Sequence, residues 1–242
     1  KCTSYFMSLT SAINKSLSSA VVANRLSEIE NWKILLLEAG GDETDISDVP
    51  VLAAYLQLSG LDWSYKTEPS STSCLGTVRN GARCSTSKAF LQPVKTRPNL
   101  HISLHSHVTK VLIDPKNRMA IGVEFVKNHQ RHVIRARKEV ILSGDRKTKL
   151  LLMLSGIGPA DHLQELRIPV IQNLPVGYNL QDHIAMGGAT YLIESPPECL
   201  PLGAGIVLPR IFTIDSLMRF LRNHDGPLYG LPFCEGMAFV NT

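Results

Sequence analysis

The chain has 242 residues, enough for one large domain or two small ones. Hydrophobic residues make up 44% and charged residues 19%, a balance that supplies a core and argues against disorder. The net charge of +4 is small and scattered, which gives no footprint for nucleic acid, and no apolar run approaches the ~18 residues of a membrane-crossing helix.

The first residues, KCTSYFMSLTSAINKSLSS, are Ser-rich and contain no apolar stretch of signal-peptide length. The chain starts at Lys1, as a processed or partial product does. Asn14-Lys15-Ser16 is a glycosylation triplet of a kind that chance also produces. Residues 19–28, SAVVANRLSE, read as a helix, with Ala20, Val21, Ala23 and the pair Val22/Leu26 forming its apolar stripe. WKILLLEAGG, 32–41, reads as a buried strand closed by Gly40-Gly41. Helix, strand, acid, Gly-Gly is the second half of a βαβ unit. In a dinucleotide-binding unit an acid at the end of the second strand holds ribose hydroxyls, and Glu38 stands there. An ordinary strand-end glutamate beside a turn fits the spacing equally well. The first half of the unit should supply a strand and a glycine-rich turn, yet residues 1–39 contain no glycine.

Residues 42–73 read as loop, with one short apolar piece at 51–58. From 99 onward three strand-like runs follow: HISLHSHVTKVLID, AIGVEFVKN and HVIRARKEVILSG. DPKNRM and NHQR join them, so an antiparallel meander is expected whose last strand returns to the main sheet. In RHVIRARK, 131–138, Arg135 and Arg137 alternate with Ile134 and Ala136, as on a strand with one wet face. His101, His105 and His107 share parity on the first run. A metal site is conceivable there, but no carboxylate or cysteine joins them and a wet face explains them as well. Cys2, Cys74, Cys84, Cys199 and Cys234 are widely spread with no CxxC, which speaks against metal ligation. SGDRKTKLLLMLSGIGP, 143–159, reads as a helix stopped by Gly156, Gly158 and Pro159, with charge crowded into the turn after EVILSG. A short helix is expected near ADHLQEL. In TIDSLMRFLRN, Ile214, Leu217, Met218 and Leu221 give the stripe of a core-facing helix ended by Gly226-Pro227. KILLLEAG and EVILSG, both continuous apolar runs ending near glycine, are expected to be neighbouring parallel strands.

VVANRLSE, KILLLEAGGDE, DWSYKTEP, RCSTSKAFLQP, HSHVTKVLID, GVEFV, KEVILS, LLMLSGIGP and PVGYNLQDH occur in this order. Together they resemble the glucose–methanol–choline (GMC) family of FAD-dependent oxidoreductases, in particular its insect glucose dehydrogenase-like members. The resemblance implies an α/β fold: a partial Rossmann-like FAD-binding domain with a parallel sheet and an antiparallel β meander over 1–183, and the start of a substrate-binding domain over 184–242. It implies oxidation of a CH–OH group of a small-molecule alcohol or sugar, with FAD as cofactor, and it favours a secreted protein. It would place Glu38 on the adenosine ribose, Val108 beside the adenine, Ser143 and Gly144 at the strand end near the cofactor, and Asn179, Asp182 and His183 along the cofactor wall.

The departures from the family pattern are specific. Asn14, Lys15, Ser16 and Leu17 stand where the glycine-rich turn is expected. Cys74-Leu75-Gly76 runs almost directly into Arg83-Cys84 where the family carries a long block, so residues 74–82 are expected to be extended or poorly ordered. GDRKTKL replaces a small-residue turn like AGAINSPQ. The family's catalytic His and its His/Asn partner lie further C-terminal than this chain reaches, so no catalytic residue is assigned. His183 reads as structural, and no GxSxG supports a hydrolase. A catalytically dead remnant or partner-binding protein is the alternative, with FAD binding expected to be weak or lost.

Overall fold

A computed structural model describes residues 5–10, 17–52, 56, 78–144, 146–181 and 211–229. Contacts divide the chain into two units. The first takes in Lys1–Asp42 and Ser85–Gln181, and the second Glu43–Cys84 and Asp182–Thr242. The second unit therefore includes residues 43–84, which the sequence reading keeps with 1–183.

The first unit is built on four parallel strands: β1 (Tyr5–Thr10), β2 (Lys33–Glu38), β5 (Leu100–Ser103) and β9 (Val140–Leu142), in the order β5-β2-β1-β9. KILLLE is apolar from its second to its fifth residue because both faces of β2 are covered. Ile34 and Leu36 pack on Ala20 and Ala23 of helix α1 (Leu17–Leu26) and on Leu91, Val94 and Leu100. Leu35 and Leu37 face the other way, onto Val123, Val108, Phe125, Val140 and Leu142. At α1 the small Ala20 and Ala23, both fully buried, let the helix approach the sheet closely.

A strand is thus present before α1, in YFMSLT, a run whose polar residues hide it from periodicity. It changes one expectation. KILLLEAG and EVILSG lie in one parallel sheet but are not neighbours, because β1 pairs with both. The three later runs are also cut differently. The first splits into β5, in the parallel sheet, and β6 (His107–Asp114). The last splits into β8 (Gln130–Arg135) and β9. With β7 (Met119–Lys127), β6 and β8 form the antiparallel meander, in the order β6-β7-β8. Ile134 and Ala136 pack inward while Arg135 and Arg137 are exposed, so the alternation in RHVIRARK holds.

Buried polar groups tie these layers together. Asn99 Nδ2 donates to the carbonyls of Ser27 (3.0 Å), Ile29 (3.1 Å) and Trp32 (3.0 Å). This fixes the turn between α1 and β2 against the start of β5. Helix α2 (Arg146–Leu154) is followed by Ser155, 1% exposed. The Ser155 hydroxyl accepts from Val111 N–H (2.8 Å) and donates to Leu151 O (2.6 Å). A short parallel pair, β10 (Ile157–Gly158) with β11 (Gln172–Asn173), brackets α3 (Ala160–Glu165).

In the second unit, Asn80-Gly81 makes a tight turn between β3 (Val78–Arg79) and β4 (Ala82–Arg83), with φ of 51° and 73°. Such a turn requires positive φ at both central residues, and NG is its strongest sequence signal. Within the segment expected to be extended or poorly ordered, residues 78–82 therefore belong to a hairpin; 74–77 lie outside the described residues. Helix α4 (Ile214–Asn223) is capped by the Thr213 hydroxyl, which accepts from Ser216 N–H (3.1 Å). It packs through Phe220 on Val51 and Leu228. Its predicted core stripe does not face a core. Ile214, Leu217, Met218 and Leu221 are 83%, 48%, 37% and 62% exposed. Phe220 lies on a different face, and the small cluster it joins sets the helix's orientation.

Candidate functional site

The carboxyl ends of the parallel strands, where ligands bind in an open parallel sheet, hold three of the candidate residues, Glu38, Ser143 and Gly144. Glu38 ends β2 and is 1% exposed. Its Oε1 accepts from Gly40 N–H at 2.7 Å, which aims the carboxylate at the turn that follows. That turn is held from the β5–β6 connection: His105 N–H donates to Gly40 O (3.1 Å) and Ser106 N–H to Glu38 O (2.8 Å). Ser106 is fully buried and its hydroxyl lies 2.9 Å from that of Ser103, which in turn accepts from Lys127 Nζ at 2.8 Å. A sequence reading passes over this bracing, because the residues involved are far from Glu38 along the chain.

The three histidines do not share a strand. His101 lies on β5, His105 in the turn with φ of 52°, and His107 on β6. No metal-holding group of His, Cys, Asp and Glu occurs among the described residues. Partial desolvation, and secondly the nearby Lys147 ammonium, lower the His107 pKa from its ordinary value.

Val108 packs in the meander-side core with Leu35 and Leu37. Ser143 and Gly144 follow β9, at the same end of the sheet as Glu38. Gly144 is already engaged on both sides: its N–H donates to Thr148 Oγ1 (2.9 Å) and its carbonyl accepts from Lys147 N–H (2.9 Å). Within the charged turn the Lys147 ammonium is shielded from solvent. Asn179 is exposed and accepts from Gln181 Nε2 at 3.0 Å, so it is not gathered at the sheet edge by any described contact. Asp182 and His183 lie outside the described residues.

The donor set fits one end of a dinucleotide. Glu38 supplies an oriented carboxylate, which accepts up to about four hydrogen bonds, of which Gly40 takes one. The diphosphate end of such a site belongs to the first strand-to-helix turn, here between β1 and α1. Backbone N–H donors at a close-approach turn are what a diphosphate requires. At Gly144 the polar groups close the first turn of α2. Residues 11–16, which join β1 to α1, carry no glycine in the sequence and lie outside the described residues.

A model of the GMC oxidoreductase family matches residues 61–185. Mouse mitochondrial choline dehydrogenase is 49% identical over 110 residues, 45% of this chain and 18% of the relative. The glucose dehydrogenase (FAD, quinone) of Drosophila melanogaster is 26% identical over 322 positions, covering 83% of this chain and 51% of the relative. Since 83% of 242 residues is about 200, roughly 120 of those positions have no counterpart here. A formate oxidase of Aspergillus oryzae superposes with a TM-score of 0.69 at 19% identity, over 95% of this chain and 60% of its own, a likeness of fold. The parallel sheet, the acid at the end of β2 and the family match agree: the chain belongs to the GMC oxidoreductase family, whose cofactor is FAD. It spans between about a fifth and about half the length of these curated relatives.

Proposed function

We propose that this chain is the nucleotide-binding part of an FAD-linked oxidoreductase acting on the CH–OH group of a small-molecule alcohol or sugar. The observation that carries the reading is Glu38, a buried carboxylate fixed at the carboxyl end of the second strand of a parallel sheet. That is where an acid takes ribose hydroxyls in dinucleotide-binding folds. The family match and the choline and glucose dehydrogenase relatives support the substrate class. FAD, when bound, supplies the hydride acceptor; Glu38 is the residue here that would hold it.

One set of observations favours a second reading, a family member that has lost catalysis. Gly144 spends its N–H and carbonyl within α2, and no glycine precedes Gly40. The test is purification followed by flavin absorbance and dye reduction with choline or glucose. Stoichiometric flavin with substrate-dependent reduction supports the first reading. Protein free of flavin and unable to take it up supports the second.

A further inference from the structure

Asn80 and Gly81 form the whole of the turn between β3 and β4, and Asn80 is exposed. It is the only asparagine of the chain that is followed by glycine; every other one is followed by a residue whose side chain crowds the next peptide nitrogen. In a two-residue hairpin loop the ladder runs through the flanking residues, here Arg79 and Ala82, so the Gly81 N–H takes no part in it. Gly81 also lies against the end of α4: a methyl group built on it would meet His224 O and sit 2.6 Å from His224 Cβ. His224 ends that helix in the left-handed conformation, with φ of 51° and its N–H on Phe220 O (2.8 Å). Its ring is T-shaped to that of Phe220, with centroids 5.6 Å apart.

We propose that Asn80 is a site of spontaneous deamidation, and that the fit of the turn to α4 makes only one of the two products compatible with the fold. The Gly81 nitrogen attacks Asn80 Cγ. The new N–Cγ bond closes a cyclic imide, and the Cγ–Nδ2 bond breaks, releasing ammonia that carries off the Gly81 proton. Water then opens the imide on either side, and no electrons change hands. Opening at Cγ leaves aspartate in an ordinary chain. Opening at the main-chain carbonyl leaves Gly81 joined through Cγ, an isoaspartate with one extra methylene in the main chain. Asp-Gly suits this turn as well as Asn-Gly does, so the first product keeps the hairpin. The second lengthens the turn, so Arg79 and Ala82 can no longer face each other and Gly81 loses its seat on His224. Ring closure draws the Gly81 nitrogen out of the turn, so it proceeds from the opened hairpin. With two residues in each strand, that hairpin opens readily.

The experiment incubates the full chain in mildly alkaline buffer, folded and in urea, and follows every asparagine by peptide mass spectrometry, with isoaspartate scored by isoaspartyl methyltransferase labelling. The acidic products are resolved by ion exchange and digested briefly with trypsin beside the parent and Asn80→Asp, and cleavage after Arg83 is followed. Asn80 should convert ahead of every other asparagine, about tenfold more slowly in the folded chain than in urea. Its rate should rise with pH, since closure needs the Gly81 nitrogen without its proton. Asn80→Asp and the aspartate product should resist trypsin as the parent does, and the isoaspartate product should be cut about tenfold faster. Folded protein that keeps Asn80 for about a hundred times as long as the urea sample does, or another asparagine that converts first, overturns the site. Equal rates in the two samples overturn closure from the opened hairpin. An isoaspartate product as resistant as the parent overturns its incompatibility with the fold. Should Asn80→Asp fail to fold, the two products formed from the unmodified chain still decide.

Discussion

Replacing Asn99 by aspartate changes one donor group and almost no volume. Asn99 is 8% exposed, and its NH2 group lies 3.0–3.1 Å from three carbonyl oxygens, those of Ser27, Ile29 and Trp32. Aspartate puts a negative oxygen in the same place, facing three acceptors. Under-satisfying these carbonyls costs about 1–3 kcal/mol, and a buried uncompensated charge brings the total to about 3–5 kcal/mol. Asn99→Ala removes the hydrogen bonds without the charge and should cost about 1–3 kcal/mol. The two variants also differ in pH dependence. In Asn99→Asp, the three carbonyls raise the folded-state pKa of the introduced carboxyl above its unfolded value of about 3.9. The native state then binds more protons than the unfolded state between those two values, so this variant should regain stability as pH falls through the folded pKa. Asn99→Ala should show no such gain relative to wild type. Urea denaturation at pH 7 and pH 5 measures both. If the aspartate variant is as stable as the alanine variant at pH 7, or gains nothing on acidification, the carbonyl cage is not what holds this turn.

Ser155→Ala leaves the buried Val111 N–H without its acceptor and should cost about 1–3 kcal/mol, with the Val111 amide exchanging faster by hydrogen-exchange mass spectrometry. His107, whose pKa is lowered, is neutral in the fold over a range where the unfolded chain binds a proton. Stability should therefore fall as pH drops below about 6.5, and His107→Gln should flatten that limb in thermal melts at pH 5–7. Gly122→Ala drives a methyl group into Ile134 O, so β7 and β8 cannot keep their spacing, and the variant should be destabilised by about 1–3 kcal/mol in the same urea assay. Gly81→Ala should disrupt the hairpin turn and its approach to His224, whose carbonyl oxygen the added methyl would meet; limited proteolysis at 78–83 reads this out.

The sequence by itself determined those elements whose signal is local. KILLLE declares a strand covered on both faces because its four central positions are apolar, and the sheet bears this out with α1 on one side and the meander on the other. The acid at its end, Glu38, and the missing glycines before it could be read directly. Residue spacing also marked out the meander, since its turns are short and their polar residues are plain. Tertiary structure alone decided the rest, because it depends on which distant segments meet. YFMSLT becomes an inner strand, β1, only because its backbone finds β2 and β9 to pair with, a gain its mixed composition does not announce. His101, His105 and His107 share a parity that the break between β5 and β6 erases. The stripe on α4 has a helical period, but period shows only that one face is apolar. Phe220, meeting Val51 and Leu228, fixes which face turns inward, and the stripe is left exposed.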